Sequence, residues 1–107
     1  MLLAIDVGNT STVFGLFDRD KLTEHWRVAT ERHKSGDELG ALYRNFLELG
    51  DVDGICLSST VPQLVRSYHE FAGRYTSGHF DLPMMGTTIE LDGVAVVREG
   101  VLQDVFG

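Results

Sequence analysis

Asp6 stands at the end of the apolar run Leu2-Leu3-Ala4-Ile5 and is followed by Val7-Gly8-Asn9-Thr10-Ser11-Thr12-Val13. A carboxylate placed there can hold a Mg²⁺-bound water or position a phosphoryl group in transfer. Gly8 permits a positive φ or the close approach of a ligand to the backbone. Asn9, Thr10, Ser11 and Thr12 put polar side chains beside N–H donors, a nest-like arrangement suited to phosphate oxygens. The spacing alone leaves an alternative open. A tight hairpin with a capping Asp and a turn-forming Asn would use the same residues for structure only.

Other constellations are weaker. His25 and His33 lie eight positions apart, with no cysteine or paired histidine at ligand spacing, so solvated side chains are the expectation. His69 falls off the apolar stripe of its helix, and His79 sits in a loop-like stretch. Cys56, alone within Ile55-Cys56-Leu57, reads as a buried core residue. Ser58-Ser59 precedes a helix and can act as a cap or turn as well as a ligand. Asp51 and Asp53 are expected to solvate a loop, and Trp26 and Tyr68 to anchor a core or an interface. No Gly-x-x-x-x-Gly-Lys-[Ser/Thr] loop and no Gly-x-Ser-x-Gly elbow occurs.

The elements that must position Asp6 follow from hydrophobic patterning. Leu2 to Ile5 is continuously apolar, as in a strand covered on both faces. Thr12 to Phe17 is a second strand, and Leu22 to Val28 alternates, placing Leu22, Glu24, Trp26 and Val28 on one face. Asp18-Arg19-Asp20-Lys21 is the turn between them. Ser35-Gly36-Asp37-Glu38 is a capping box opening a helix with Leu39, Leu42, Tyr43, Phe46 and Leu47 on one stripe, stopped at Gly50. Ile55 to Ser58 reads as a buried strand. A second helix starts near Pro62 and aligns Val61, Leu64, Val65, Tyr68, Ala72 and Tyr75. The order β-β-β-α-β-α predicts an α/β domain with a mixed sheet and helices packed on it. Past Tyr75, Thr76-Ser77-Gly78-His79 and Pro83-Met84-Met85-Gly86 read as irregular, and a hairpin is expected over 87–98 with its turn at Asp92-Gly93.

Composition bounds the partners. The 107 residues suit one domain by length, and the net charge of −7 with only Lys21 and Lys34 as lysines argues against nucleic acid or an anionic membrane. Met1 to Ile5 is too short for a signal segment, and no apolar run approaches the ~20 residues that span a bilayer. A cytoplasmic protein is the expectation.

Leu3-Ala4-Ile5-Asp6-Val7-Gly8-Asn9-Thr10, followed by Thr12-Val13-Phe14-Gly15-Leu16-Phe17, resembles the opening of type III pantothenate kinases. These belong to the superfamily of acetate and sugar kinases, Hsp70 and actin. The resemblance continues through Trp26-Arg27-Val28-Ala29-Thr30, Asp37-Glu38 and Ser58-Ser59-Thr60-Val61-Pro62, and covers residues 1–75. It implies a ribonuclease H-like nucleotide-binding domain over 1–75, with 76–107 as a divergent tail. It also implies that Asp6, Val7, Gly8, Asn9, Thr10, Ser11, Thr12 and Val13 bind ATP phosphates, with Asp6 at the Mg²⁺. The family reaction transfers the γ-phosphate of ATP to pantothenate, the first step of coenzyme A biosynthesis. A monovalent cation (K⁺ or NH₄⁺) and a homodimer complete what the resemblance implies. The family's Gly-Ala-Asp-Arg motif, which carries the catalytic base, does not occur in the 107 residues, nor does its second Asp-x-Gly-Thr phosphate motif; Met85-Gly86-Thr87-Thr88 only echoes the latter. No catalytic base or pantothenate site is therefore assigned, and this chain alone is expected to be inactive. The alternative is a non-catalytic nucleotide-binding or dimerisation module.

Overall fold

The computed structural model describes residues 1–19 and 21–76, with the strand segments 79–81, 88–91 and 94–97. β1 (Leu2–Val7), β2 (Ser11–Asp18) and β3 (Lys21–Ala29) form an antiparallel meander. There follow α1 (Gly36–Arg44), a 3₁₀ turn (Leu49–Asp51), β4 (Gly54–Ser59), α2 (Pro62–Tyr75) and β5 (His79–Asp81). Five strands make one sheet in the order β3-β2-β1-β4-β5, with β4 parallel to β1 and β5 parallel to β4. A mixed α/β sheet with two helices is thus observed, and it is compatible with a ribonuclease H-like or actin-like architecture. β6 (Thr88–Leu91) and β7 (Val94–Val97) pair antiparallel as a separate two-stranded sheet. Asp20, Pro83-Met84-Met85-Gly86, Thr87, Asp92-Gly93 and Arg98, on which turn, loop and hairpin expectations fell, lie outside the described residues.

Strand alternation sorts the sheet into two faces. Leu3, Ile5 and Val7 of β1, Phe14 and Leu16 of β2, and Ile55 and Leu57 of β4 meet Leu39, Tyr43, Leu64, Tyr68 and Phe71 of the helices in one large core. The opposite face carries a smaller cluster, Ala4 and Phe17 with Leu2, Val13 and Leu22 packed against them. Aromatic rings knit the helix side: Phe14 meets Tyr43 edge-on at 4.5 Å between centroids, and Trp26 lies 5.3 Å from Phe14. The Tyr43 and Tyr68 hydroxyls share a 2.7 Å hydrogen bond deep in that core. Burial holds both phenols well above their ordinary pKa. Cys56 is buried on β4; Tyr68 lies in the core and Trp26, partly buried, packs against it, the core rather than the interface alternative.

α1 begins as its capping box dictates. The Glu38 N–H donates to Ser35 Oγ at 3.1 Å, and the Ser35 N–H donates to Glu38 Oε1 at 2.9 Å. Those bonds hold the Glu38 carboxyl below its ordinary range. The helices cross through two glycines. A Cβ on Gly36 would lie 2.6 Å from Glu70 Cβ, and one on Gly40 would lie 2.8 Å from the Tyr75 ring. Outside that contact, the Asp37 carboxylate accepts from Tyr75 Oη at 2.7 Å and from Arg74 Nη1 at 3.1 Å, and these two bonds together depress its pKa.

Four expectations need correction. α1 stops at Arg44 rather than Gly50, because Asn45 and Phe46 turn into i→i−3 bonds to Leu42 and Tyr43 while Asn45 Nδ2 takes the Ala41 carbonyl. Leu47 still reaches the core from beyond the helix. Leu22 does not share a face with Trp26 and Val28. The β2–β3 register shifts between Leu16 and Phe17, leaving Thr23 unmatched; its hydroxyl donates to the Leu16 carbonyl at 3.1 Å. The extra residue reverses the alternation and sends Leu22 to the smaller cluster. Phe71, absent from the expected stripe of α2, is fully buried, whereas Val65 is only half-buried. His79 is not in a loop: it opens β5, which pairs with Gly54–Cys56 and carries the sheet past residue 75.

Candidate functional site

The β1–β2 hairpin is closed by a Gly8 N–H that donates to the Ser11 carbonyl at 3.0 Å. A Cβ on Gly8 would sit 3.0 Å from that same oxygen. Neither Asn9 nor Thr10 adopts a positive φ, the only such non-glycine residue among those described being Arg19. The glycine is therefore favoured by the close approach of its own hairpin, not by a left-handed backbone. With the Gly8 donor engaged, the N–H groups at the exposed tip are those of Asn9 and Thr10. Neither meets a backbone acceptor among the described residues.

Neighbouring chain ends hold this tip in place. The Thr30 N–H donates to the Thr10 carbonyl at 3.0 Å, and the Thr12 and Thr30 hydroxyls share a 2.8 Å hydrogen bond. On the other side, Thr60 gives its N–H (3.0 Å) and its hydroxyl (3.3 Å) to the Val7 carbonyl. Ser59 takes the turn role: its Oγ accepts the Val61 N–H at 3.0 Å at the start of α2. β1 and β4 are parallel, so their carboxyl ends lie side by side here, as at binding sites of open α/β sheets.

The residues expected to act together are split between the two faces. Asp6, 7% exposed, lies in register with Val13 on one side and Ser58 on the other, and the same row continues to Arg27. Ser11 shares that face, where Arg27 Nη1 donates to its Oγ at 3.1 Å. Val7 and Thr12 point to the helix side and are buried. Thr12 there is a latch to Thr30, and both line a shallow surface depression with Lys34, Leu42, Leu64 and Tyr68. Asp6 is not among the residues that line it. Gly8, Asn9 and Thr10 form the tip, where Arg32 Nη2 donates to Asn9 Oδ1 at 3.2 Å.

Arg27, Arg32, Thr30 and Thr60 were not expected at this hairpin. The outward position of Arg27 in the alternation of β3 was visible, but its meeting with Ser11 depends on strand register. No group of three or more His, Cys, Asp or Glu side chains is clustered among the described residues. Asp53 contacts the N-terminal amine at 3.2 Å, away from the hairpin.

A family model described as type III pantothenate kinase matches residues 2–96. The chain belongs to the type III pantothenate kinase family. The match runs beyond residue 75, where the recognisable motif wording ends. A type III pantothenate kinase of Frankia alni is 46% identical over 85 residues, covering 79% of this chain and 33% of that protein. The Streptomyces avermitilis protein of the same name is 45% identical over 84 residues, covering 70% of this chain and 32% of its own length. The one from Bacillus cytotoxicus is 41% identical over 80 residues, covering 70% and 30%. The matched segment thus spans about a third of the length of these kinases. None of the helices among the described residues is long and apolar enough to cross a membrane.

Proposed function

We propose that this chain is the first, ribonuclease H-like domain of a pantothenate kinase and contributes the hairpin that receives the phosphates of ATP. The observation that carries this reading is the buried Asp6 carboxylate at the adjoining carboxyl ends of two parallel strands, beside a turn with exposed N–H groups. Asp6 and the Ser58 hydroxyl are hard oxygen donors. Mg²⁺ commonly takes one or two carboxylates and completes its shell with phosphate oxygens and water, so the donor set fits that ion. When bound, the cation would offset phosphate charge in a chain of net charge −7. Asn9 and Thr10 would donate to phosphate oxygens, while Ser11 and Val13 would line the same side. Val7 and Thr12 would hold the hairpin to the core rather than touch the ligand.

Phosphorylation of pantothenate, with a monovalent cation, in a cytoplasmic homodimer, is the activity of the whole kinase in this reading. It requires groups that the matched third of such a kinase does not supply, a catalytic base above all. General-base assistance is worth roughly 10²–10⁴-fold, and a phosphoryl transfer also needs its phosphate clamp complete. The chain alone therefore binds nucleotide without turning it over, as a non-catalytic module. Calorimetric titration of ATP with Mg²⁺ tests this against the wild type and Asp6→Asn. Millimolar-range, Mg²⁺-dependent binding that disappears in the variant is expected. Equal heats from both proteins would remove Asp6 from the site, and release of ADP with pantothenate present would refute the non-catalytic assignment.

A further inference from the structure

We infer that Arg27 and Arg32 form a guanidinium clamp over the hairpin and supply the positive charge that holds a nucleoside polyphosphate there. The inference rests on the nucleotide reading above and adds residues to it. Arg27 comes from β3 and Arg32 from the segment after it, yet both end on the same turn, at Ser11 Oγ (3.1 Å) and Asn9 Oδ1 (3.2 Å). Both side chains are exposed.

Three features separate this from ordinary surface arginines. First, the chain has 16 acidic residues against nine Lys and Arg, so a surface arginine has many carboxylates to choose from. Neither Arg27 nor Arg32 pairs with one among the described residues; Arg74, by contrast, pairs with Asp37. Second, each guanidinium is aimed by a neutral oxygen that uses one of its five N–H donors, which leaves the others for an anion. Third, Arg27 shares a register row and a face with Asp6. Two strand spacings of about 4.8 Å separate their backbones, with Ser11 and Val13 between them. A cation held at Asp6 and a guanidinium at Arg27 would thus address different oxygens of one polyphosphate chain. Arginine suits that role because its planar fork matches two phosphate oxygens at once.

The experiment titrates ATP with Mg²⁺, and separately inorganic tripolyphosphate with Mg²⁺, into the wild type, Arg27→Met, Arg32→Met and Arg27→Lys. Arg44→Met, on α1 and away from the hairpin, is the control. Thermal melts of each protein report folding. Charged hydrogen bonds of this kind correspond to about tenfold in affinity each. Arg27→Met is expected to weaken both ligands about tenfold with its melting unchanged, Arg32→Met somewhat less, and Arg27→Lys to restore part of the loss. Equal losses for ATP and tripolyphosphate place the contact on the phosphates. Wild-type affinity in folded Arg27→Met and Arg32→Met, with binding still lost in Asp6→Asn, overturns the clamp alone. Absence of binding in the wild type overturns the nucleotide reading and the clamp with it. If Arg27→Met does not fold, Arg32→Met and Arg27→Lys decide, and unchanged affinity in both overturns the clamp.

Discussion

The two faces of the central sheet are built from alternate residues of the same strands, yet they carry different loads. On the helix side, Leu3, Ile5 and Val7 disappear beneath α1 and α2, and even the polar Thr12 is tied inward to Thr30. On the other side, the same strand shows Ala4 and then Asp6, beside Ser11, Val13, Ser58 and Arg27. One face holds the chain together, and the other collects its ligand-capable groups. A single strand can do both because its period of two separates the tasks without needing extra residues.

The sharpest way to break this comparison is Phe14→Ala. Its ring is fully buried between Trp26 and Tyr43, so its removal is expected to destabilise the fold by about 3–5 kcal/mol. Urea unfolding measures the loss; a value below about 1 kcal/mol would mean that the helix side is not the principal core. A smaller effect is expected at Gly36. The added methyl of Gly36→Ala meets the Glu70 Cβ and the α2 backbone, forcing the helices apart at about 1–3 kcal/mol. Its effect on ATP affinity should be slight, since the contact lies away from the hairpin, and a large one would join the two faces functionally.

The smallest of the three concerns the phenol pair. Tyr68→Phe leaves the Tyr43 hydroxyl without its partner, at about 1–2 kcal/mol, and Tyr43→Phe does the same to Tyr68. The double variant should cost less than the sum of the two singles, because no orphaned hydroxyl remains. The pair also sets an alkaline limit. Both folded pKa values are raised above the ordinary 10.0, so the folded state keeps protons that the unfolded chain releases. Stability from this source is full below pH 10 and falls as pH rises above it. Unfolding curves at rising pH should show that fall in the wild type and a shallower one in the double variant.

What could be read from the sequence was what neighbours in the chain decide. The Ser35–Glu38 capping box and the first-turn Pro62 are contacts within a few residues, and both are observed. The strand that carries Asp6 and the turn after it are equally local. What escaped depended on partners far along the chain. Nothing near Thr23 announces a bulge, because the misfit exists only against Leu16 and Phe17 across the ladder. β5 is three residues long and is defined by the β4 edge beside it. The division of residues 6–13 between two faces was implicit in strand alternation, but a loop-like motif conceals it. The approach of Arg27 and Arg32 to the hairpin needed the folded register.

The Val7 carbonyl, grasped by both the amide and the hydroxyl of Thr60, has a consequence for any ligand at the tip. With Thr30 fastening the other side, the turn is braced before anything binds. A mobile loop would lose conformational freedom on capturing an anion and give up affinity in proportion. This one has already surrendered that freedom in folding, so its preorganisation is written into the short connection between β4 and α2, 53 residues beyond the carbonyl it steadies.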